Sequence, residues 1–212
     1  VVINSVEAEG HKGAVNMYVD GGGIWTNGFY GYKDPSSDFK GSYVTNFVGG
    51  PDLKHKGTIV QRDENPLTIE NFSGYAAVYY GRSDMGTETS HYIGGDTIIK
   101  HAAKDSNIII ATPRVYTQDV PWYDKDGEDG YSGILSSPNL VGQILNAVAG
   151  KLVYEDAKNG AEDLNATAWI SSGMTESSVA VESGKITFDK ETGRGQHLFD
   201  VVYDFNTDLN GR

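Results

Sequence analysis

Residues 68–70 (Thr-Ile-Glu) and 78–80 (Val-Tyr-Tyr) are matched, 30 positions later, by residues 98–100 (Ile-Ile-Lys) and 108–110 (Ile-Ile-Ile). Each copy is one strand–turn–strand unit, and the two copies align without a gap. Units that recur at a short interval are typical of solenoids, because each unit buries its apolar face only against its neighbours. The same units would also suit the hairpins of a β-sandwich, so that alternative stays open.

A third and less regular unit runs from residues 186–188 to residues 198–203. The first 111 residues otherwise contain only short apolar stretches between polar, glycine-rich turns, and none of them keeps a helical period. A composition of 27 Gly and 13 Tyr agrees with many turns and strands. The predicted strands of this half and of the C-terminal part are Val1–Val6, Ala14–Val19, Ser42–Val48, Thr58–Gln61, Leu67–Glu70, Ala76–Tyr80, Asp96–Lys100, Asn107–Ala111, Ala166–Ser171, Ser178–Val181 and Lys185–Asp189.

The run Ile108-Ile109-Ile110 adds a prediction about burial. Side chains alternate between the two faces of a strand, so a half-buried strand would expose Ile109 to water. A continuous apolar run indicates that both faces of this strand are covered.

One helix is predicted, over residues 138–159. Leu140, Val141, Ile144, Leu145, Val148 and Leu152 recur at helical spacing and form one apolar stripe. Ser137 suits the N-cap, Pro138 the first helical position and Gly160 the stop. The opposite face is polar, so we expect the helix to pack on the flank of the strands.

This pattern divides the chain into three parts. Residues 1–120 are predicted to form β-solenoid rungs with Gly- and aromatic-rich loops, residues 121–135 an acidic loop, and residues 136–212 the helix with further rungs of the same or an adjoining subdomain. In the loop, Asp124, Asp126, Glu128 and Asp129 resemble a calcium-binding run. An EF-hand would need Gly where Asp129 stands and Glu where Leu135 stands, so a solvated acidic loop is favoured and a calcium site of another kind stays open.

The charge and the lack of cysteine exclude several classes of protein. Seventeen Lys and Arg against 29 Asp and Glu give a net charge of −12, which repels phosphate, so we expect no nucleic-acid partner. The apolar runs are far shorter than the roughly 18–20 residues that span a bilayer, so we expect no membrane insertion. Without cysteine there is no disulfide framework and no cysteine nucleophile.

No motif points to catalysis. The histidines His11, His55, His91, His101 and His197 lack the spacing of a helix-borne metal site. Neither a Gly-x-Ser-x-Gly elbow nor a phosphate-binding loop occurs. Carboxylates are plentiful, so a pair suited to glycoside chemistry stays open, although no pattern singles one out. We therefore expect a protein that is not an enzyme and that has no cofactor and no metal site.

Aromatic residues in polar turns are the candidate binding residues. Exposed rings are costly unless they pack down or contact a partner, and stacking on sugars or on a protein surface would use them. The alternative is that they cover the ends or flanks of the strands. The candidates are Trp25, Phe29, Tyr30 and Tyr32 in one Gly-rich segment, and Trp122, Tyr123 and Tyr131 beside the acidic loop.

Three C-terminal segments resemble a recurring module of large autotransporter passengers of Veillonella-like diderm Firmicutes. They are Val141–Tyr154, Asn159–Thr167 and Ser183–Gln196, which match a helix with a Leu-Tyr pair, a Leu-x-Gly/Ala-Thr strand and an Ile-Thr-Phe strand with a Thr-Gly-x-Gly turn. Residues 95–100 and 107–112 also resemble β-coil rungs of that family. The resemblance covers residues 57–196, whereas Val1–Val48 departs from its rungs.

The resemblance implies a right-handed β-solenoid at the bacterial cell surface, carried by an outer-membrane barrel outside this sequence. Such passengers are mostly adhesins, so the implied function is non-enzymatic binding of a glycan or protein on host or neighbouring bacterial surfaces, with self-association as a further option. A β-helix carbohydrate-active enzyme and a structural spacer without a ligand are the alternatives. Because the sequence starts without Met, we expect a fragment or a processed product.

Overall fold

The computed structural model describes residues 14–27, 41–61, 65–80, 95–113, 145–171 and 180–197. The chain is mainly β and forms two sheets. Its strands are β1 (Asn16–Tyr18), β2 (Ile24–Asn27), β3 (Ser42–Val48), β4 (Gly57–Gln61), β5 (Leu67–Ser73), β6 (Tyr75–Tyr79), β7 (Thr97–Ala102), β8 (Asn107–Pro113), β9 (Leu152–Tyr154), β10 (Asn165–Ser171), β11 (Ala180–Phe188) and β12 (Gly195–His197). A short 3₁₀ helix, Glu155–Asn159, follows β9.

Successive strands from β1 to β10 alternate between the two sheets. The first sheet has the order β1-β3-β5-β7-β9, and the second has the order β12-β11-β10-β8-β6-β4-β2. Every neighbouring pair from β1 to β10 is parallel. Each odd strand and the even strand after it therefore stack on the pair before them. A two-sheet arrangement is also compatible with the β-sandwich alternative.

The main core lies between the two sheets. Strand register stacks equivalent inward side chains on each other, and these residues all belong to one buried cluster. In the first sheet one inward row is Val44, Ile69, Ile99 and Tyr154. In the second sheet the corresponding row is Trp25, Ile59, Val78, Ile110 and Ala168.

The outward side of the second sheet is buried as well. Ala77, Tyr79, Ile109 and Ala111 form a separate apolar cluster there, with Trp169 packed against it. Ile109 is only 1% exposed, and its neighbours Ile108 and Ile110 are fully buried. The prediction that both faces of this strand are covered is confirmed.

The first sheet bends at one position on three neighbouring strands. In β5 the inward residues are Leu67, Ile69 and Phe72, so two consecutive residues between Ile69 and Phe72 point outward. Strand β3 has the same spacing between its buried residues Val44 and Phe47. The rings of Phe47 and Phe72 stack with centroids 5.8 Å apart, which fixes the bend inside the core.

Buried polar side chains line the turns that lead from the second sheet to the first. The Asn27 Nδ2 group donates to Gln61 Oε1 at 2.6 Å, and the Ser42 hydroxyl donates to Asn27 Oδ1 at 2.6 Å. Gln61 in turn donates to the backbone oxygen of Asn65 at 3.2 Å. A buried amide that lost such partners would be costly, so this network favours one register.

The predicted repeat is present, with one correction to its spacing. Ile69 pairs with Ile99, which is the expected offset of 30 residues. Val78 pairs with Ile110, an offset of 32. The turn before β8 is longer than the turn before β6 and is closed by a hydrogen bond from Ser106 N to Ala103 O at 3.0 Å. The third unit is wrong, because β11 runs antiparallel to β10, and residues 198–203 lie outside the described part.

The helix prediction over residues 138–159 is wrong in its C-terminal half. Within the described residues the helix covers only 145–149 and ends in a turn at Gly150. Leu152 fits the helical period but belongs to β9, where it pairs with Thr97 of β7. Gly160 does act as a stop, with φ 78°, for the 3₁₀ helix. Residues 138–144 lie outside the described part.

Strands β9 and β10 extend the same two sheets that β1–β8 build, through the pairs β7–β9 and β8–β10. The predicted acidic loop at 121–135, including its candidate calcium ligands, lies outside the described residues.

The inward register can be tested with two neighbouring isoleucines of β7. We expect Ile99→Ala to lower the free energy of unfolding by about 2–5 kcal/mol, because Ile99 is fully buried between the sheets. The matched change Ile98→Ala removes a half-buried outward side chain and should cost about 1 kcal/mol or less. Urea unfolding measures both variants, and equal losses would contradict the register.

Candidate functional site

The structure corrects one of the aromatic candidates. Trp25 is 5% exposed and is an inward residue of β2 in the main core, so its ring cannot stack on a ligand at the surface. The four-residue strand β2 turns Trp25 toward the inside because it pairs in register with Ile59. The other candidates, Phe29, Tyr30, Tyr32, Trp122, Tyr123 and Tyr131, lie outside the described residues.

The outward side of the first sheet carries a continuous polar surface, which we call the ladder face. It contrasts with the outward side of the second sheet, which is buried. Strand β1 contributes to it at one side, and the 3₁₀ helix after β9 contributes at the other. The ladder face consists of Asn16, Tyr18, Tyr43, Asn46, Glu70, Asn71, Lys100, His101 and Asp156.

Three asparagines form a hydrogen-bonded row across β1, β3 and β5. They are in register, Asn16 with Asn46 and Asn46 with Asn71. Asn46 Nδ2 donates to Asn16 Oδ1 at 2.7 Å, and Asn71 Nδ2 donates to Asn46 Oδ1 at 3.0 Å. Asn71 Nδ2 also contacts the backbone oxygen of Thr45 at 3.3 Å. Each amide thus orients the next one along the row.

The ends of this row keep hydrogen-bonding capacity. Within the part of the chain that the structure describes, Asn16 Nδ2 and Asn71 Oδ1 make no hydrogen bond. A primary amide offers two N–H donors and an oxygen with two lone pairs. The row therefore presents donors at Asn16 and an acceptor at Asn71 in fixed positions.

Two exposed tyrosines flank the row. Tyr18 is two residues after Asn16 on β1 and is 76% exposed. Tyr43 is three residues before Asn46 on β3 and is 41% exposed. Exposed aromatic rings beside oriented amides can contact both the apolar and the polar parts of a ligand.

Glu70 links Tyr43 to Lys100 on the neighbouring strands. The Tyr43 hydroxyl donates to Glu70 Oε2, and Lys100 Nζ lies 2.9 Å from the same oxygen. These two contacts, the Tyr43 hydrogen bond first, lower the pKa of Glu70. The contact with Glu70 raises the pKa of Tyr43 and that of Lys100. At neutral pH the trio is therefore a carboxylate, a neutral phenol and an ammonium, and its formal charges cancel.

The side chains of β7 extend the ladder face to the 3₁₀ helix. His101 is in register with Asn71, and its Nδ1 lies 2.9 Å from Asp156 Oδ2. Lys100 Nζ lies 5.7 Å from the centre of the Tyr43 ring, within cation–π range. Acidic and basic groups on this surface are thus paired with each other.

The sheet bend explains why these residues share one surface. Because two consecutive residues point outward at the bend, each strand presents a pair there, such as Glu70 and Asn71 on β5 or Lys100 and His101 on β7. Sequence reasoning missed all of the ladder face. The usable signal was the polar pair that interrupts an apolar alternation at equivalent places in the predicted strands.

Neither a metal site nor a membrane-spanning helix is found in the described residues. No group of three or more His, Asp or Glu side chains converges there in a way that could hold a metal ion. Of the helical segments described, none is long and apolar enough to cross a membrane.

The chain matches no protein-family model, no curated protein and no solved structure. The resemblance to autotransporter passengers therefore stays a prediction.

The Glu70 trio gives a pH prediction. Since the pKa of Glu70 is lowered in the folded state, the trio stabilises the fold at neutral pH, and this contribution is lost as the pH falls through the folded pKa. We expect Tyr43→Phe to raise the pKa of Glu70 toward its ordinary value and Lys100→Gln to raise it less. Carboxyl NMR titration measures both changes. The Asp189 carboxyl, whose pKa is lowered by Thr192 elsewhere, is the internal control and should not move. An unchanged Glu70 would refute the assignment.

Proposed function

We propose that this chain is a right-handed β-solenoid segment of a secreted bacterial cell-surface adhesin and that the ladder face binds a surface glycan. The observation that carries the proposal is the contrast between the two outward faces. The second sheet buries its outward side, whereas the first sheet presents oriented amides, a carboxylate and two exposed tyrosines.

The strand order supports the solenoid. Nine successive steps along the chain, from β1 to β10, each pass from one sheet to the other, and every neighbouring pair within this run is parallel. Sandwiches of the immunoglobulin type are built from antiparallel neighbours instead. Parallel strands joined within one sheet almost always have right-handed connections, which supports the right-handed form.

The chemistry of the ladder face supports a glycan as the ligand. Sugar hydroxyls donate and accept hydrogen bonds, and amide and carboxylate groups are matching partners. Tyrosine rings can cover the apolar face of a sugar ring while their hydroxyls remain in water. The basic side chains Lys100 and His101 are already paired with Glu70 and Asp156. A chain with a net charge of −12 also repels polyanions, which favours a neutral glycan over a sulfated one.

In this proposal Asn16 and Asn71 hydrogen-bond the ligand, Tyr18 and Tyr43 stack on it, and Asn46 positions the two outer amides. The ligand belongs to a host cell or to a neighbouring bacterium. The segment acts outside the cell, needs no cofactor and catalyses no reaction. Its anchor is an outer-membrane barrel that this sequence does not include.

A binding experiment tests the function. The purified chain, Tyr18→Ala and Asn71→Ala are applied to a glycan array and to whole cells. Removal of an exposed ring or of the terminal amide should weaken binding at least tenfold, which corresponds to about 1.4 kcal/mol. Leu53→Ala is the matched control, because Leu53 is a 45% exposed apolar side chain outside the ladder face.

Three outcomes would contradict the proposal. Full binding by both ladder-face variants would move the binding site elsewhere. A folded chain that binds neither glycans nor cells would favour the structural spacer. Shortened polysaccharide products after incubation would favour the carbohydrate-active enzyme.

A further inference from the structure

The last strand of the first sheet is covered at its outer edge by a turn from the other sheet. Strand β9 pairs with β7 on one side. On its other side, Tyr154 N donates to Gly193 O at 2.8 Å, and Val153 forms an antiparallel bridge with Arg194. Gly193 and Arg194 lie in the turn between β11 and β12, which belong to the second sheet.

Arg194 extends this contact back across the first sheet. Its Nη1 donates to Gly150 O at 2.5 Å, just before β9. Its Nη2 donates to Asp96 Oδ2 at 2.9 Å, just before β7. One guanidinium therefore joins the β11–β12 turn to the starts of the last two strands of the first sheet. A planar group with several fixed donors is suited to such a double contact.

Two glycines permit the close approach of this turn. A Cβ at Gly193, where φ is +73°, would lie 2.7 Å from Tyr154 O. A Cβ at Gly195 would lie 2.3 Å from Ala149 O. Both distances are shorter than a carbon and an oxygen tolerate, so a side chain at either position would push the turn away from the first sheet.

The turn itself is held in shape by Asp189. Its Oδ1 accepts hydrogen bonds from Glu191 N at 2.9 Å, Thr192 N at 2.7 Å and Thr192 Oγ1 at 3.0 Å. The adjacent Phe188 is buried, and its ring meets that of Tyr154 edge-on at 5.5 Å. The turn is therefore formed before it contacts β9 and is anchored in the core beside it.

We infer that β11 and β12 form a terminal cap of the parallel stack and that Arg194 is the latch that keeps the edge of β9 closed to a second copy of this chain. An uncovered strand edge presents free N–H and C=O groups and is a template for pairing with another chain. Stacked-unit proteins need a terminal element of different construction to end the stack. The change from parallel to antiparallel pairing at β11 is such an element.

Two variants of the full chain test the cap. Asp96→Asn removes the ionic half of the latch, and Arg194→Ala removes the whole latch. We expect the amide hydrogen of Tyr154 to exchange at least tenfold faster in Arg194→Ala and to a smaller extent in Asp96→Asn. We also expect the weight-average mass from light scattering to rise with protein concentration beyond that of the parent chain.

Lys190→Ala is the matched control in the same turn. Lys190 contacts Asp163 at 2.5 Å on the surface and does not contact β9, so this variant should exchange and scatter like the parent chain. Unchanged Tyr154 exchange, faster exchange without self-association, or an equal effect of Lys190→Ala would each overturn the inference. Circular dichroism confirms that the variants are folded, and the milder Asp96→Asn keeps the test valid if Arg194→Ala unfolds.

Discussion

The whole molecule depends on the burial of apolar side chains between two sheets, where each inward residue must lie on its equivalents in the neighbouring strands. A single strand pair cannot cover its own inward face, so it is stable only against the next pair. The rows through Ile69 and Ile99 in one sheet and through Ile59 and Val78 in the other meet this condition. Parallel, in-register stacking follows, because a shift by one residue would turn these rows outward.

The same register decides what happens at the outer surface. Outward residues are stacked as closely as inward ones, so like charges would repel and groups that bond to each other are favoured. Asn46 and Asn71 satisfy this with amide hydrogen bonds, and Glu70 and Lys100 with opposite charges. A surface built in this way is ordered before any ligand arrives, which lowers the entropy cost of binding.

Much of the β structure could be predicted because strand formation has a local signal. The β-branched and aromatic segments around Ile69, Val78, Ile99 and Ile110 are strands, and the buried Ile109 followed from a continuous apolar run. These features depend on residues that are close in sequence. The two-residue difference between the offsets in the two sheets was lost, because it arises in a polar turn that has no apolar pattern.

The errors share one cause, which is that pairing partners lie far away in the sequence. Leu152 fits a helical stripe and a strand equally well, and only its pairing with Thr97 decides between them. Trp25 stands in a Gly-rich segment that suggests an exposed turn, but pairing with β4 makes it a core residue. The ladder face could not be predicted, because Asn16, Asn46 and Asn71 are 30 and 25 residues apart and meet only through register.

Disulfide trapping tests the stacked arrangement most directly. The sequence has no cysteine, so a pair introduced by Thr68→Cys and Ile98→Cys would be the only thiols. These positions are opposite each other on β5 and β7, within the roughly 4.4–6.8 Å between Cα atoms that a disulfide needs. The account predicts rapid intramolecular oxidation of this pair and none for Thr68→Cys with Thr167→Cys, which places the second thiol on the other sheet. Oxidation of the second pair, or failure of the first in a folded chain, would contradict the parallel two-sheet stack.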